Sequence, residues 1–591
     1  MKLREEIEQK YKWDLSSYFK NIEEWDKSFN FLKNNYKEIL KYENKLKNKD
    51  DIYACLELEN KISYDMGLLY VYASLLVKED STNSVNQNLL NKIEKLSVEI
   101  DENTSFISTE IKELNDDFLN ELILDNKFNN YDLFFKNIIK NKKHMLSKNE
   151  EKLLAATSEF AGQFSNIFDK FDTADVKFKK IKDSIGKEYE MNNYVYHKYL
   201  QSNDRTLREN AYKSMNGAYG ALNHTLSEIY MGNVKSDCFY AKVRHFNSSL
   251  EASLYSEEVD KSVYDTLIKS VNQNLSVFHK YFMIKRNLLK LDKFAVYDVH
   301  APTINCLEQY SYDEAFEIVK RATKCLGDDY VEVLCKAKDE RWLDVYANKG
   351  KDTGAFSWGF YGKNPVVLLN FENTINDVFT LGHELGHSMH TYYSNKNQPI
   401  QKAGYEIFVA EVASTVNEML LINYFINNSK TKNEKIYYYD YLFKMFYSTI
   451  FRQTLFAEFE ESVHNFYEKG LDTTTDALND FYYNLNKKYF GDNVMLVDEV
   501  KYEWSRIPHF YSSFYVYKYA TGLISAFCIA NKISSKDEKT LKGYKKFLTM
   551  GATKPPVELL KIAGVDLENE QTFSYVFNKM KDLLDDWKSL I

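Results

Sequence analysis

Two histidines four residues apart bracket a glutamate in the run His383-Glu384-Leu385-Gly386-His387. On a helix, residues at that spacing share a face about 6 Å apart along the axis. Both imidazoles can then converge on one Zn2+ at about 2.1 Å each. Glu384, next to the first imidazole, can reach a water on such an ion and act as general base. A five-residue separation would turn the second imidazole away, so the spacing is one that the chemistry requires.

A catalytic zinc wants a third protein ligand and one open position. His390 is on the same face but seven residues from His383, about 10.5 Å along the axis, which suits a capping, core or supporting role. The segment from Phe408 to Glu418 offers more. Its pattern is helical, and it is reached through a loop containing Pro399. Returning antiparallel, it would bring Glu411 to the metal, with Ser414 or Thr415 and then Glu418 on the same stripe. Glu411 is the expected third ligand, and Glu418 is expected to accept an N–H from a ligating imidazole and fix its tautomer. Gly382 and Gly386, four apart, would let another backbone come close.

These groups need a scaffold. A chain of 591 residues exceeds what one core usually supports, so at least two packed lobes are expected. All six prolines lie at or after Pro302, leaving the first half free for long helices. Apolar residues there recur at helical spacing, as in Ile52, Cys55, Leu56, Leu58 and Ile62. Trp13-Asp14-Leu15-Ser16 reads as an entering turn with Ser16 as a helix N-cap. Between Gly354 and Phe371 an aromatic stretch, a Gly/Asn/Pro turn and the apolar run Val366 to Asn370 predict two strands. The fold class is mainly α, with a small β-sheet just before the HExxH helix. The chain divides into an N-terminal helical region, 1–200, and a catalytic region, 201–591.

The bulk numbers exclude other functions. A net charge of -9 with no basic stripe argues against nucleic acid. No apolar run approaches the roughly eighteen residues that would span a bilayer, and the charged start Met1-Lys2-Leu3-Arg4-Glu5-Glu6 lacks signal-peptide character. Cys55, Cys238, Cys306, Cys325, Cys335 and Cys528 form no CxxC pair, which suits buried thiols in a reducing, cytoplasmic compartment.

With these residues in view, the chain resembles the oligoendopeptidase F branch of the thimet-oligopeptidase-like zinc peptidases. The resemblance rests on Thr380 to His390 and on Ala410 to Glu418, with Ala413 and Thr415 marking the branch. It extends to Trp13-Asp14-Leu15, to Asp204-Arg205 with Arg208 and Ala211, to Ala241-Lys242-Val243-Arg244 with Ser249-Leu250-Glu251, and to Pro555 through Asp566. It implies a two-lobed helical shell around a deep channel that admits short peptides, with one Zn2+ per chain.

Water attack on a peptide carbonyl develops charge that positioned donors stabilise. Trp504 to Gly522 is dense in them and is similar to the family segment that supplies a His and tyrosines. By that likeness Tyr517 stabilises the oxyanion, His509 assists, and Tyr511 and Tyr515 bind substrate. Val366 and Leu368, if they lie at a sheet edge, would hold an extended peptide as an added strand. The expected activity is hydrolysis of internal bonds in short oligopeptides. The rivals are a zinc carboxypeptidase or dipeptidyl carboxypeptidase on the same framework, and a helical binding protein in which the motif is inert.

Overall fold

The computed structural model describes residues 2–304 and 308–591. Cys306 lies outside them. The chain packs into two compact units, each assembled from three stretches. One comprises Met1–Lys143, Glu308–Leu421 and Lys536–Lys554; the other comprises His144–Leu307, Ile422–Ser535 and Pro555–Ile591. A linear cut at 200/201 follows neither.

The first unit starts with helices Ile22–Asn35, Lys49–Glu79 and Ser84–Glu113. Each begins where an asparagine side chain accepts a hydrogen bond from the first turn: Asn21 from Glu24, Asn48 from Asp51, Asn83 from Val85 and Asn86. These bonds satisfy amides that the helix cannot. Ser16 is therefore not the cap expected from sequence. Its amide donates to Asp14 Oδ1, a local turn that leaves the helix to start at Asn21. Trp25, fully buried, donates from its indole to Leu69 O at 2.9 Å and stacks on Phe29.

The expected small sheet is present. β4 (Leu343–Asp344), β5 (Phe356–Trp358) and β6 (Val366–Leu368) are ordered β4-β6-β5, with β6 parallel to β4 and antiparallel to β5. This order corrects one expectation. β6 is the central strand, its backbone groups are committed on both sides, and Val366 and Leu368 are at most 1% exposed. No peptide can add to it, so Val366 and Leu368 are core residues. Beneath the sheet the Asp344 carboxylate pairs with Lys351 at 2.7 Å and Arg4 at 2.6 Å. Arg4 also pairs with Glu79 at 2.8 Å, so the two cations balance two carboxylates and removing either would leave one negative charge in excess.

The second unit is helical apart from the hairpin β1 (Ile181–Lys182) and β2 (Glu188–Tyr189) and a parallel pair, β3 (Phe294–Ala295) with β7 (Val494–Met495). Asp204 caps the helix Arg205–Gly220, and Arg205 and Arg208 both bind Asp298, which is wholly buried. That network explains why Asp204, Arg205 and Arg208 stand together. Tyrosine and phenylalanine side chains fill much of the interior, as where Phe443 and Trp587 stack with rings 4° apart.

Cys55, Cys238 and Cys528 are buried, as expected, but Cys325 is exposed and Cys335 only half-buried. Cys325 lies between two helices in the short turn Thr323–Leu326, whose buried side chains are Thr323 and Leu326. Among the described residues no helix is long and apolar enough to cross a membrane.

Candidate metal centre

The motif helix runs Ile375–Asn397. Thr374 and Asp377 form a reciprocal capping box at its start, which sets the rotation that presents His383 and His387 on one side. The return helix, Ile407–Asn427, lies antiparallel to it: Gly386 faces Ala413 and Ser414, while Gly382 faces Asn417 and Leu421.

The two glycines permit this approach. A Cβ built on Gly386 would stand 2.6 Å from Ser414 Cα and 2.7 Å from Ala413 O, both backbone atoms that cannot swing aside. One on Gly382 would meet Leu421 Cδ1 at 2.3 Å. Asn417, which sequence reading passed over, donates to Gly382 O at 2.9 Å and accepts from Tyr330 at 3.0 Å. We expect Gly386→Ala to push the helices apart, destabilising the fold by at least about 2 kcal/mol and weakening metal binding. Urea unfolding and a zinc titration on the same protein check both effects.

Held this close, the helices bring together three donor atoms. His383 Nε2 and His387 Nε2 are 3.2 Å apart, and Glu411 Oε2 lies 3.2 Å from the first and 3.3 Å from the second. A tetrahedral ion with bonds of about 2.0–2.1 Å requires its donors to be roughly 3.3 Å apart. The triangle fits that edge on all three sides. Among the described residues it is the one His/Cys/Asp/Glu cluster able to hold a metal ion. Glu418 Oε1 stands 2.5 Å from His383 Nδ1; it takes that N–H and leaves the Nε2 lone pair facing the triangle. Ser414 Oγ donates to Glu411 Oε2 at 3.1 Å and steadies the carboxylate.

Charge is concentrated here. Burial disfavours the His383 imidazolium, but the carboxylates of Glu411 and Glu418 outweigh it and raise its pKa to about 10. Burial likewise opposes ionisation of Glu411, yet its bonds to His383 and His387 dominate and drive its pKa well below the ordinary carboxylate range. A metal entering the triangle must displace the His383 proton. Zinc affinity is therefore expected to rise with pH, by up to about tenfold per unit below pH ~10 from this proton alone. Calorimetry in buffers of different ionisation enthalpy would record the release.

Glu384 is 7% exposed, and its carboxylate accepts no hydrogen bond from the described residues. Burial raises its pKa, against the pull of His383 and His387. Unlike the sealed oxygens of Glu460, those of Glu384 keep access to solvent, as a base that must meet water requires. His390 is out of the cluster, as helix rise required. It is 1% exposed, stacks on Tyr405 with centroids 3.8 Å apart, and burial pushes its pKa down to about 3.

A likeness to known proteins now bears on this geometry. The model of peptidase family M3 matches residues 198–578, and that of Oligopeptidase F matches 110–178. The chain belongs to peptidase family M3. Oligopeptidase PepF of Bacillus subtilis (strain 168) is 36% identical across 100% of this chain and 88% of its own. An Oligoendopeptidase F homolog of Borreliella burgdorferi is 35% identical over 99% of each. In structure, oligoendopeptidase-F from Enterococcus faecium superposes with a TM-score of 0.72 at 30% identity, covering 96% of this chain and 99% of that one. A Chlamydophila abortus crystal structure gives 0.94 at 32%, covering 100% of both. As an M3 member the protein is a metallo-endopeptidase acting on oligopeptides, and it holds a His/His/Glu group that could bind the metal.

The residues expected from the Trp504 to Gly522 segment lie in the second unit, and they divide sharply. Tyr517, at the start of helix Tyr517–Ser534, is 0% exposed, and its hydroxyl donates to Glu257 at 3.0 Å. A hydroxyl sealed in the core against a carboxylate is not presented to substrate, which corrects the role expected for Tyr517. Tyr511 is half-buried and stacks on Phe168 at 4.6 Å, a packing role. His509, Tyr515 and Tyr519 instead form a partly exposed cluster, with His509 Nε2 3.2 Å from the Tyr519 hydroxyl and the Tyr515 and Tyr519 rings 5.4 Å apart. Burial lowers the pKa of His509. The sequence pattern does not single out Tyr519, because Tyr515 precedes the helix that starts at Tyr517 and helical spacing does not relate the two rings.

Proposed function

We propose that this M3 peptidase is a zinc enzyme that hydrolyses internal bonds of short oligopeptides, with His383, His387 and Glu411 as ligands and Glu384 as general base. The observation that carries the reading is the donor triangle, whose three sides of 3.2–3.3 Å suit tetrahedral zinc. Bound there, zinc would polarise the scissile carbonyl and bring water toward ionisation near neutral pH. Glu384 takes a proton from the attacking water and returns it to the leaving amine. Its raised pKa suits both halves of that exchange. Glu418 keeps His383 in the tautomer that presents Nε2. In the second unit, His509, bonded to Tyr519 and with Tyr515 beside it, forms the partly exposed group we assign to peptide binding. We also assign a cytoplasmic location, supported by cysteines without any pairing pattern.

A peptide acetylated at one end and amidated at the other tests the endopeptidase assignment. Cleavage at an internal bond, read by mass spectrometry, is expected. If only peptides with free termini were cut, the enzyme would be an exopeptidase.

A further inference from the structure

A cavity of about 290 Å³ within the second unit has no part in the roles assigned so far, although His509 is on its wall. The unusual feature is its supply of hydrogen-bond donors. Tyr196, Tyr212 and Tyr447 line it, and they are 2%, 5% and 5% exposed. None of their hydroxyls has a hydrogen-bond partner among the described residues. Unlike the sealed hydroxyls of Tyr230, Tyr281 and Tyr544, these three keep access to solvent, so each is free to donate to a guest.

The charge points the same way. The lining carries Arg452 and Arg506 against a single carboxylate, Glu503. Glu503 Oε2 accepts from Arg452 at 2.6 Å and from Tyr482 at 2.9 Å, and Glu503 Oε1 accepts from Arg506 at 3.0 Å. One guanidinium charge in this wall is left without a counterion. Arg506 also lies over the Tyr196 ring, 5.2 Å from its centroid. His300 stands 5.7 Å from Tyr447, and burial, followed by the nearby lysines and His197, drives its pKa down to about 3, so it is neutral and adds no repulsion to a guest. Tyr447 opens the π-helical turn Tyr447–Phe451, with Arg452 directly after it. That wide turn departs from α-helical spacing.

We propose that this cavity binds a carboxylate group of a bound peptide, held by the Tyr196, Tyr212 and Tyr447 hydroxyls and by the excess charge of Arg452 and Arg506. The volume accommodates one amino-acid residue. Two parts of a peptide supply this chemistry, the C-terminal carboxylate and an Asp or Glu side chain. Either would give the second unit a grip on the peptide. The inference rests on the oligopeptide reading for its ligand but not on zinc or on cleavage.

The test is equilibrium binding of fluorescent peptides to zinc-loaded Glu384→Gln protein, which holds its substrate uncut. One pair of peptides differs only in a free or amidated C-terminus, and a second pair only in Glu or Gln at one position. We expect one of the acidic peptides to bind roughly tenfold more tightly than its neutral twin, and the pair that shows the difference identifies the source. The preference should fall to about one in the Tyr196→Phe, Tyr447→Phe double variant. Because those hydroxyls have no partner in the fold, their loss should not lower the melting temperature. Equal binding within both pairs, or a preference that survives in the double variant, would overturn the assignment. Cleavage of the same peptides by the unmodified enzyme reports separately on the peptidase reading.

Discussion

Glu384→Gln is expected to lower kcat/KM by about 10²–10⁴-fold, the range for loss of a general base, equivalent to about 3–5 kcal/mol of transition-state stabilisation. Two further readings distinguish this from damage. Zinc content should stay at about one per chain, because the triangle of His383, His387 and Glu411 is untouched. Thermal stability should hold or rise, because the substitution replaces a 7% exposed carboxylate that accepts no hydrogen bond with a neutral amide of the same shape. A fall in melting temperature alongside activity would show that Glu384 supports the fold instead.

His387→Ala should act on the metal. Removing one corner of a triangle with sides of 3.2–3.3 Å leaves two donors and a wider opening. Zinc affinity is expected to drop by more than the roughly 100-fold typical for loss of an outer partner such as Glu418. Competition with a zinc-binding dye measures the change. Activity should fall with occupancy at limiting zinc and recover only in part when zinc is added in excess. His390→Ala is the contrast: it opens a cavity beside Tyr405 and Phe547 and should reduce stability while leaving zinc affinity nearly unchanged.

The residues of the metal centre were legible because helix geometry is rigid. The spacing of His383 and His387, the seven-residue gap that removes His390, and the stripe from Glu411 to Glu418 all follow from a fixed rise and turn. The Tyr515 and Tyr519 pairing was not legible in that way, because the helix begins only at Tyr517 and Tyr515 precedes it. Strand order was beyond reach. Val366 to Leu368 reads as a strand from its residues alone, yet whether it is an edge depends on β4, which joins it from more than twenty residues upstream. The interleaved compact units were hidden for the same reason, since packing partners far apart in sequence leave no periodic mark. Ser16 failed as a cap because Asp14 captured its amide in a local turn, a competition that Ser, Asp and Asn side chains often enter.

The central claim is that the His383, His387 and Glu411 triangle holds zinc. It is tested most directly by X-ray diffraction from crystals of the purified protein, recorded on both sides of the zinc absorption edge. The account predicts one anomalous peak per chain, about 2 Å from His383 Nε2, His387 Nε2 and Glu411 Oε2, which disappears in His387→Ala. A peak bound elsewhere, or an active enzyme with no zinc signal between the two helices, would contradict it.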